Sequence, residues 1–546
     1  MLTDKTVLSF AFVMLTALFL GCEANICEYC EPNNPLKVCG SGLQCVGNMC
    51  IHPEGNVEGE CCDRGPATCS LDYYCVYGIC ETTPIYPPPK EETGIAGDPF
   101  LLSTGTRIIT PENPQATDET SALILQAQVE ESLGMEIEIE PYEEGLPLEN
   151  AIVLGTDASN PAVQTLRGAL GLEIPEDGPT PAENYAFAIS PNHILVAALE
   201  SAGVLYGAQA LKQLIRGESR RSPSGILDQV VVKDSPDVEM RGFTPHLLLY
   251  HNSLDNDGDG FKDPYKMMDV PVDLDVARSY FHVMSELRYN TVVLALGDIV
   301  TWSALPQPEN TAFSVGEFLG LVGEANRYGL EIIPFLTGSS SSNGWIGTVD
   351  QPVEYTPDYI AEHDAENLVT TKAVIQEIID AINPVQPVRY FHVGMDEDIK
   401  FGPRTLEQHE YWVDQLYDLL TANGVKTMLW HDTWIQTDAY RYDYSEYPEM
   451  HILVWDYSTP IPLTIRYFWI NHIVSKGIEV SQSFLLNGER EDFQAWFSSP
   501  DPLKKGFICV AWNQEGTFCK EEDYEPTVNV NIRQNAHKCW NARTYP

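Results

Sequence analysis

The sequence predicts an α/β protein built on a (β/α)8 TIM barrel, preceded by a small α/β accessory domain and an N-terminal disulfide-rich module. Three observations carry this expectation. From about residue 239 onward, short apolar runs suited to buried strands alternate with helical stretches, the pattern of parallel strands joined by helices. One of those runs ends in adjacent carboxylates, Asp396 and Glu397, and clustered acids at a strand end are where such a barrel places its chemistry. Most of the 14 cysteines lie at or before Cys80, a crowding that fits disulfides in an oxidising compartment.

Composition narrows the partners. The 546 residues have room for two or three domains, one with a large core. The 79 acidic against 32 basic residues give a net charge of −47, which argues against nucleic acid and strongly anionic polymers as partners. The charge does not identify a substrate.

Residues 1–21 read as a secretion signal. Lys5 is the one early cation, and the apolar run 7–20 is too short to span a bilayer comfortably. Phe19-Leu20-Gly21-Cys22 is similar to a bacterial lipoprotein box, which implies lipid on Cys22 and attachment to a membrane. The expected location is outside the cytoplasm, as a cell-envelope lipoprotein or a secreted protein. In the cysteine-rich module, 22–80, the spacing of Cys39, Cys45 and Cys50 recurs as Cys69, Cys75 and Cys80. Disulfides are favoured over zinc because the paired Cys-x-x-Cys knuckles of a zinc ribbon are missing; the pairing is not legible. Residues 81–97, with Pro84, Pro87, Pro88 and Pro89, read as a stiff, solvated linker.

The accessory domain, 98–233, is expected to hold strands at 151–155, 185–190 and 193–199. Its clearest helix, 202–216, lines up Val204, Leu205, Ala208, Leu211 and Leu214 along one side. It shows no cluster of acids or nucleophiles, so a structural role is expected.

The barrel, 234–546, takes its strands from 240–248, 291–296, 331–335, 390–393, 426–430, 451–454, 479–484 and 506–512. Its substrate face should carry His246, Asp298, Trp430, Asp432, Trp455, Asp456, Asn487, Trp512 and Glu515, at or just after strand ends. A helix at 365–381, apolar at Val369, Val374, Ile375, Ile378 and Ile379, leads into the acid-bearing strand. Alternation along that strand puts His392, Gly394 and Asp396 on one face. Two neighbouring carboxyls repel, which holds one proton on the pair and suits a general acid. The competing reading is a solvated acidic loop.

A second signal is independent of the first. Asp255, Asp257, Asp259 and Asp263 occupy positions one, three, five and nine of a calcium loop. Gly260 stands at six, and Phe261 at seven offers its carbonyl. Lys266 replaces the bidentate Glu of an EF-hand, so a structural calcium in a repeat-type loop is expected, against a solvated acidic loop. Cys509 is expected as a buried thiol, and Cys519 with Cys539 as a pair.

His392-Val-Gly-Met-Asp-Glu397 resembles the His-x-Gly-x-Asp-Glu signature of family 20 glycoside hydrolases, the β-N-acetylhexosaminidases. Asp234-Ser-Pro, Arg241-Gly242, Tyr289-Asn-Thr-Val-Val and Gly329-Leu-Glu-Ile-Ile-Pro334 extend the likeness. So do Ile152-Val-Leu-Gly-Thr and the run from Gly203 to Leu214 in the accessory domain. The resemblance implies removal of terminal β-linked N-acetylhexosamine from glycans, with the substrate's acetamido group as nucleophile and no catalytic cofactor. It implies that Asp396 orients that group and that Glu397 is the general acid and base. His392, Arg241, His246, Asp298, Trp430, Asp432, Trp455 and Trp512 would contact the sugar. The chain departs from the family at Leu249, where an Arg is usual, at Phe335, where a Glu is usual, and around 484–487. The rival readings are a disaccharide-releasing, amide-assisted glycosidase and a glycan-binding barrel without turnover.

Overall fold

The structure, a computed structural model, describes the strands within 44–51 and 74–81 and residues 83–221, 224–245, 274–296, 300–304, 313–336, 357–395, 406–431, 446–455, 470–485, 496, 501–510, 536 and 540. The two cysteine repeats give two hairpins of the same register. Gln44–Val46 pairs with Met49–Ile51, and Tyr74–Val76 with Ile79–Glu81, so Cys45 faces Cys50 and Cys75 faces Cys80.

The accessory domain is a seven-stranded mixed sheet between helices. Its strands are β1 (Glu91–Gly94), β2 (Arg107–Thr110), β3 (Glu138–Pro141), β4 (Ala151–Thr156), β5 (Tyr185–Ile189), β6 (His193–Ala198) and β7 (Val230–Asp234), in the order β1-β7-β5-β6-β4-β2-β3. Side chains alternate across it as a pleated strand requires. Ile152 and Leu154 of β4 pack with the helices α1 (Ala116–Leu133) and α3 (Ser201–Arg221). Val153 packs on the other face with α2 (Pro161–Leu170). Helix α3 sits tight on the sheet because Gly203 leaves room: a Cβ there would lie 2.4 Å from the Asn184 carbonyl oxygen.

The expectation of a solvated linker at 81–97 is corrected here. Ile85 and Tyr86 are buried, the latter held by Gln213, and β1 pairs with β7. The segment belongs to the accessory domain.

Helix α3 carries two faces. Val204, Ala208 and Leu211 meet the sheet. The other face meets barrel helix α4 (Leu274–Glu286) and the residues that follow it. Tyr206 donates to the Tyr289 carbonyl at 3.3 Å, Gln209 to Ser285 at 3.1 Å, and Lys212 with Arg216 clamps the buried Glu286. Burial alone would raise the Glu286 carboxyl, but Arg216 and Lys212 override it and hold the group well below the ordinary carboxylate range. A second polar cluster seals the seam. The Asp234 carboxylate accepts from Tyr185, from the Trp540 indole at 2.9 Å and from the backbone of Lys90. The Trp540 ring lies 5.0 and 5.4 Å from the guanidinium carbons of Arg241 and Arg288, within reach of a cation–π attraction.

The barrel strands are β8 (Met240–Thr244), β9 (Thr291–Ala295), β10 (Glu331–Phe335), β11 (Tyr390–His392), β12 (Lys426–Trp430), β13 (Met450–Trp455), β14 (Glu479–Leu485) and β15 (Lys504–Val510). They form a closed parallel barrel in chain order, with β15 returning to β8 in the register Met240↔Gly506 to Thr244↔Val510. Helices α4, α5 (Val315–Arg327), α6 (Pro357–Ile382) and α7 (Leu406–Ala422) lie outside. Ser314 and Glu317 close a capping box at the start of α5, satisfying donors the helix leaves open. The inner core holds Met240, Val293, Ile333, Phe335, Met428, Trp430, Leu453 and Ile508. An outer core joins strands to helices.

All eight expected strands form, each within a few residues of its expected bounds. Helix α6 starts earlier than expected and turns Val369 outward, 69% exposed, while Leu368, Val374, Ile375, Ile378 and Ile379 are buried. Cys509 is fully buried, as expected, with its Sγ 3.8 Å from the Tyr289 hydroxyl.

Candidate active site

The barrel is parallel, so the C-terminal ends of its strands, at Thr244, Ala295, Phe335, His392 and Trp430, share one end of it. The segment leaving β11 is the best defined. Val393 donates its N–H to the Met428 carbonyl at 2.8 Å, continuing the ladder with β12. Gly394 then takes φ of 75° and Met395 φ of 67°. Glycine visits this left-handed region freely, whereas for another residue it costs about 1–2 kcal/mol. The Gly394 N–H donates to Nδ1 of His392 at 3.0 Å, and the Gly394 carbonyl accepts from the Trp430 N–H at 3.1 Å. Met395 is fully buried in the outer core.

His392 is fully buried inside the barrel between two aromatic rings. Phe335 meets it edge-on at 4.3 Å between centroids, and Trp430 lies at 4.6 Å. Burial first, and His451 second, hold the imidazole well below its ordinary pKa, so the ring is neutral. Because Nδ1 accepts, Nε2 carries the hydrogen; it has no hydrogen-bond partner among the described residues. Among the described residues this end of the barrel interior is therefore aromatic, with one buried N–H donor beside the entry to Asp396.

The opposite end of the barrel is charged. Glu479 accepts from Lys426 at 2.7 Å and from the Tyr390 hydroxyl at 3.2 Å, and lies 3.5 Å from Nδ1 of buried His451, whose Nε2 is 3.0 Å from the Ser481 hydroxyl. Burial would raise the Glu479 carboxyl, but the His451 and Lys426 hydrogen bonds hold it well below the usual range. The Ser-His-Glu order resembles a hydrolytic relay, yet Ser481 and His451 are both fully buried. No substrate reaches them, and the network ties strands together.

Of the residues expected at the sugar site, the structure brings His392 and Trp430 together. Arg241 is corrected. Its guanidinium is fully buried in the seam, pairing with Glu183 at 2.9 Å and donating to the carbonyls of Arg288 and Val238. An outward-turned side chain near the start of β8 holds the accessory domain and does not reach a sugar at the other end. Asp396, Glu397, His246, Asp298, Asp432 and Trp512 lie outside the described residues, as does the calcium loop with Asp255, Asp257, Asp259, Phe261 and Asp263. Trp455 ends β13, but its side chain lies outside them too. So do Cys22, Asp456, Asn487, Glu515, Cys519 and Cys539.

Comparison with known proteins agrees with the layout. Residues 82–235 match the family described as glycosyl hydrolase family 20, domain 2. The resemblance to family 20 holds. The matched span covers β1 and reaches Asp234, agreeing with the corrected boundary of the accessory domain. A curated β-hexosaminidase from Porphyromonas gingivalis is 22% identical over 344 residues, 57% of this chain and 41% of that protein. The chain thus spans less than half the length of this relative. A solved β-N-acetylhexosaminidase from Bacteroides fragilis matches with a TM-score of 0.57 at 17% identity, over 84% of this chain and 91% of that one. The Streptomyces plicatus N-acetyl-β-hexosaminidase in complex with Thio-NAglucal gives 0.58 at 14% identity, over 85% and 91%. At these identities the likeness is one of fold: a small α/β domain ahead of a TIM barrel.

Sequence reasoning missed two residues of the site. Phe335 was noted only as a departure, but it forms one wall of the His392 slot. Met395, between Gly394 and Asp396, carried no expectation. Its left-handed backbone leaves no mark in composition, although a bulky residue following Gly394 in a turn could have raised the question.

Proposed function

We propose that this chain is an exported glycoside hydrolase that removes terminal β-linked N-acetylhexosamine by substrate-assisted, retaining catalysis. One observation carries the reading: the His392 to Glu397 signature begins at the C-terminal end of the fourth strand of a closed barrel that follows a family 20 accessory domain. The printed names of the relatives, β-hexosaminidases and β-N-acetylhexosaminidases, support an acetamido sugar as the substrate class.

The chemistry follows from what the reaction needs. Attack of the acetamido carbonyl oxygen on the anomeric carbon breaks the glycosidic bond and leaves an oxazolinium ion. Positive charge grows on the acetamido nitrogen, and a carboxylate beside its N–H, Asp396, stabilises it. The leaving oxygen needs a proton, supplied by Glu397, which then removes one from the water that opens the ring.

A panel of chromogenic β-GlcNAc, β-GalNAc and β-glucose substrates tests the reading. Cleavage of the acetamido sugars alone is expected. Cleavage of β-glucose at a similar rate would remove the acetamido mechanism, and silence throughout would leave a glycan-binding barrel.

Two further proposals rest on sequence. Asp255, Asp257, Asp259 and Asp263, with the Phe261 carbonyl, would hold a structural calcium, because the four acids repel one another without a cation. EDTA is then expected to lower the melting temperature; an unchanged curve in protein free of bound metal would end the proposal. Export, by the segment 1–21 with lipid on Cys22, goes with disulfides in 27–80, and thiol titration of that purified protein should find no free thiol in the module.

A further inference from the structure

We propose that residues 393–395 form a positioning turn, in which the Nδ1 cap of His392 and the buried, left-handed Met395 fix the direction in which the chain enters Asp396. The inference rests on the hydrolase reading and deepens it, by giving the acid pair its mechanical support.

Each link of the turn is held from a different side. The Val393 N–H is tied to β12, the Gly394 N–H to the His392 ring, and the Gly394 carbonyl to the Trp430 N–H. The His392 ring cannot turn away, because Phe335 and Trp430 enclose it. At the last position a glycine would accept φ of 67° but also many other values. Methionine disfavours that value, and persists there only because its surroundings over-determine it. Its fully buried side chain supplies the constraint: the backbone cannot relax unless the side chain leaves the outer core. His392 and Met395 are thus positioning residues, acting on the reaction through Asp396 and Glu397, which follow directly in the chain.

The test compares Met395→Leu, Met395→Ala and Met395→Gly in the full chain, well below each variant's melting transition. Kinetics on the best acetamido substrate form one arm. Small misplacements of catalytic groups cost on the order of 10²-fold, so Ala and Gly should lower kcat by about 10–100-fold with KM within about threefold. Leucine refills the space at nearly equal volume, and should keep kcat within about threefold. Nitrogen NMR of protein labelled at its 12 histidines forms the other arm. The His392 resonances, identified by their loss in His392→Gln, should show a single Nε2–H tautomer in the unmodified and Leu proteins, and tautomer averaging in Ala and Gly.

Unchanged kcat in Ala and Gly overturns the proposal, as does a Leu variant that falls as far as Ala. A rise in KM matching the loss of activity would mean that Met395 only shapes binding, and overturns it too. The two readings fail differently. A chain that cleaves none of the panel removes the hydrolase reading and the catalytic role of the turn with it, while an unchanged tautomer in Gly removes the cap itself.

Discussion

Glu397→Gln is expected to cut hydrolysis of unactivated β-N-acetylhexosaminides by about 10²–10⁴-fold, the usual worth of general acid–base assistance. Glutamine keeps the shape but cannot donate the proton that a poor leaving group needs. An aryl leaving group such as p-nitrophenolate departs with little protonation, so the first step on such a substrate should be partly spared. The water-activating step is still impaired, and azide, which needs no base, should restore part of the rate as a glycosyl azide. Asp396→Asn should behave differently. It loses the charge beside the acetamido group, so good and poor leaving groups should slow alike and azide should not help. Kinetics on a matched pair of aryl and alkyl glycosides separates the two patterns. Both variants turning over at the unmodified rate would end the assignment of this acid pair.

Glu286→Ala is expected to destabilise the protein by about 3 kcal/mol, the low end for breaking a buried ion pair. The Glu286 side chain is 6% exposed, while Lys212 and Arg216 keep 20% and 23%. Water can therefore partly solvate the cations once the carboxylate is gone, which places the loss at the low end. The pH dependence carries a sign. The folded-state pKa of Glu286 lies below the ordinary glutamate value of about 4.5, so the unfolded chain takes up the proton first on acidification. The contribution is complete above that value and shrinks as the pH falls toward the folded pKa. Urea denaturation at neutral pH and near pH 3 should show the gap between variant and unmodified protein narrowing in acid. A gap that is small at neutral pH, or that ignores pH, would mean the clamp holds nothing.

The barrel was legible because a strand buried on both faces reads as a short apolar run, and most of β8 to β15 have one, β8 (Met-Arg-Gly-Phe-Thr) and β14 (Glu-Val-Ser-Gln-Ser-Phe-Leu) being the exceptions. The entry to the accessory domain was not. Strand β1, Glu91–Gly94, is exposed along its whole length, so only its backbone pairing with β7 makes it a strand, and pairing has no composition. Nearby, Pro87–Pro89 read as spacer although Ile85 and Tyr86 are buried. Arg241 misled for the opposite reason. A cation in a motif suggests a ligand, but this one is satisfied by backbone carbonyls and Glu183 contributed from afar. The acid pair was found by its neighbours in sequence. The turn that delivers it was hidden in a dihedral angle, at Met395.

The bond between Asp234 and Trp540 spans 306 residues, and that distance is also an interval of time. At translation rates of about 5–20 residues per second, Asp234 emerges roughly 15–60 s before the indole that caps it. Strand β8 waits almost as long for β15, its closing neighbour, 266 residues later from Met240 to Gly506 by their numbering. Throughout synthesis the accessory sheet can assemble from local chain, yet its barrel-facing carboxylate and the open edge of β8 stand without their last partners. The nascent chain must therefore hold an unclosed sheet until β15 has been made, and an unfinished seam until Trp540 has been.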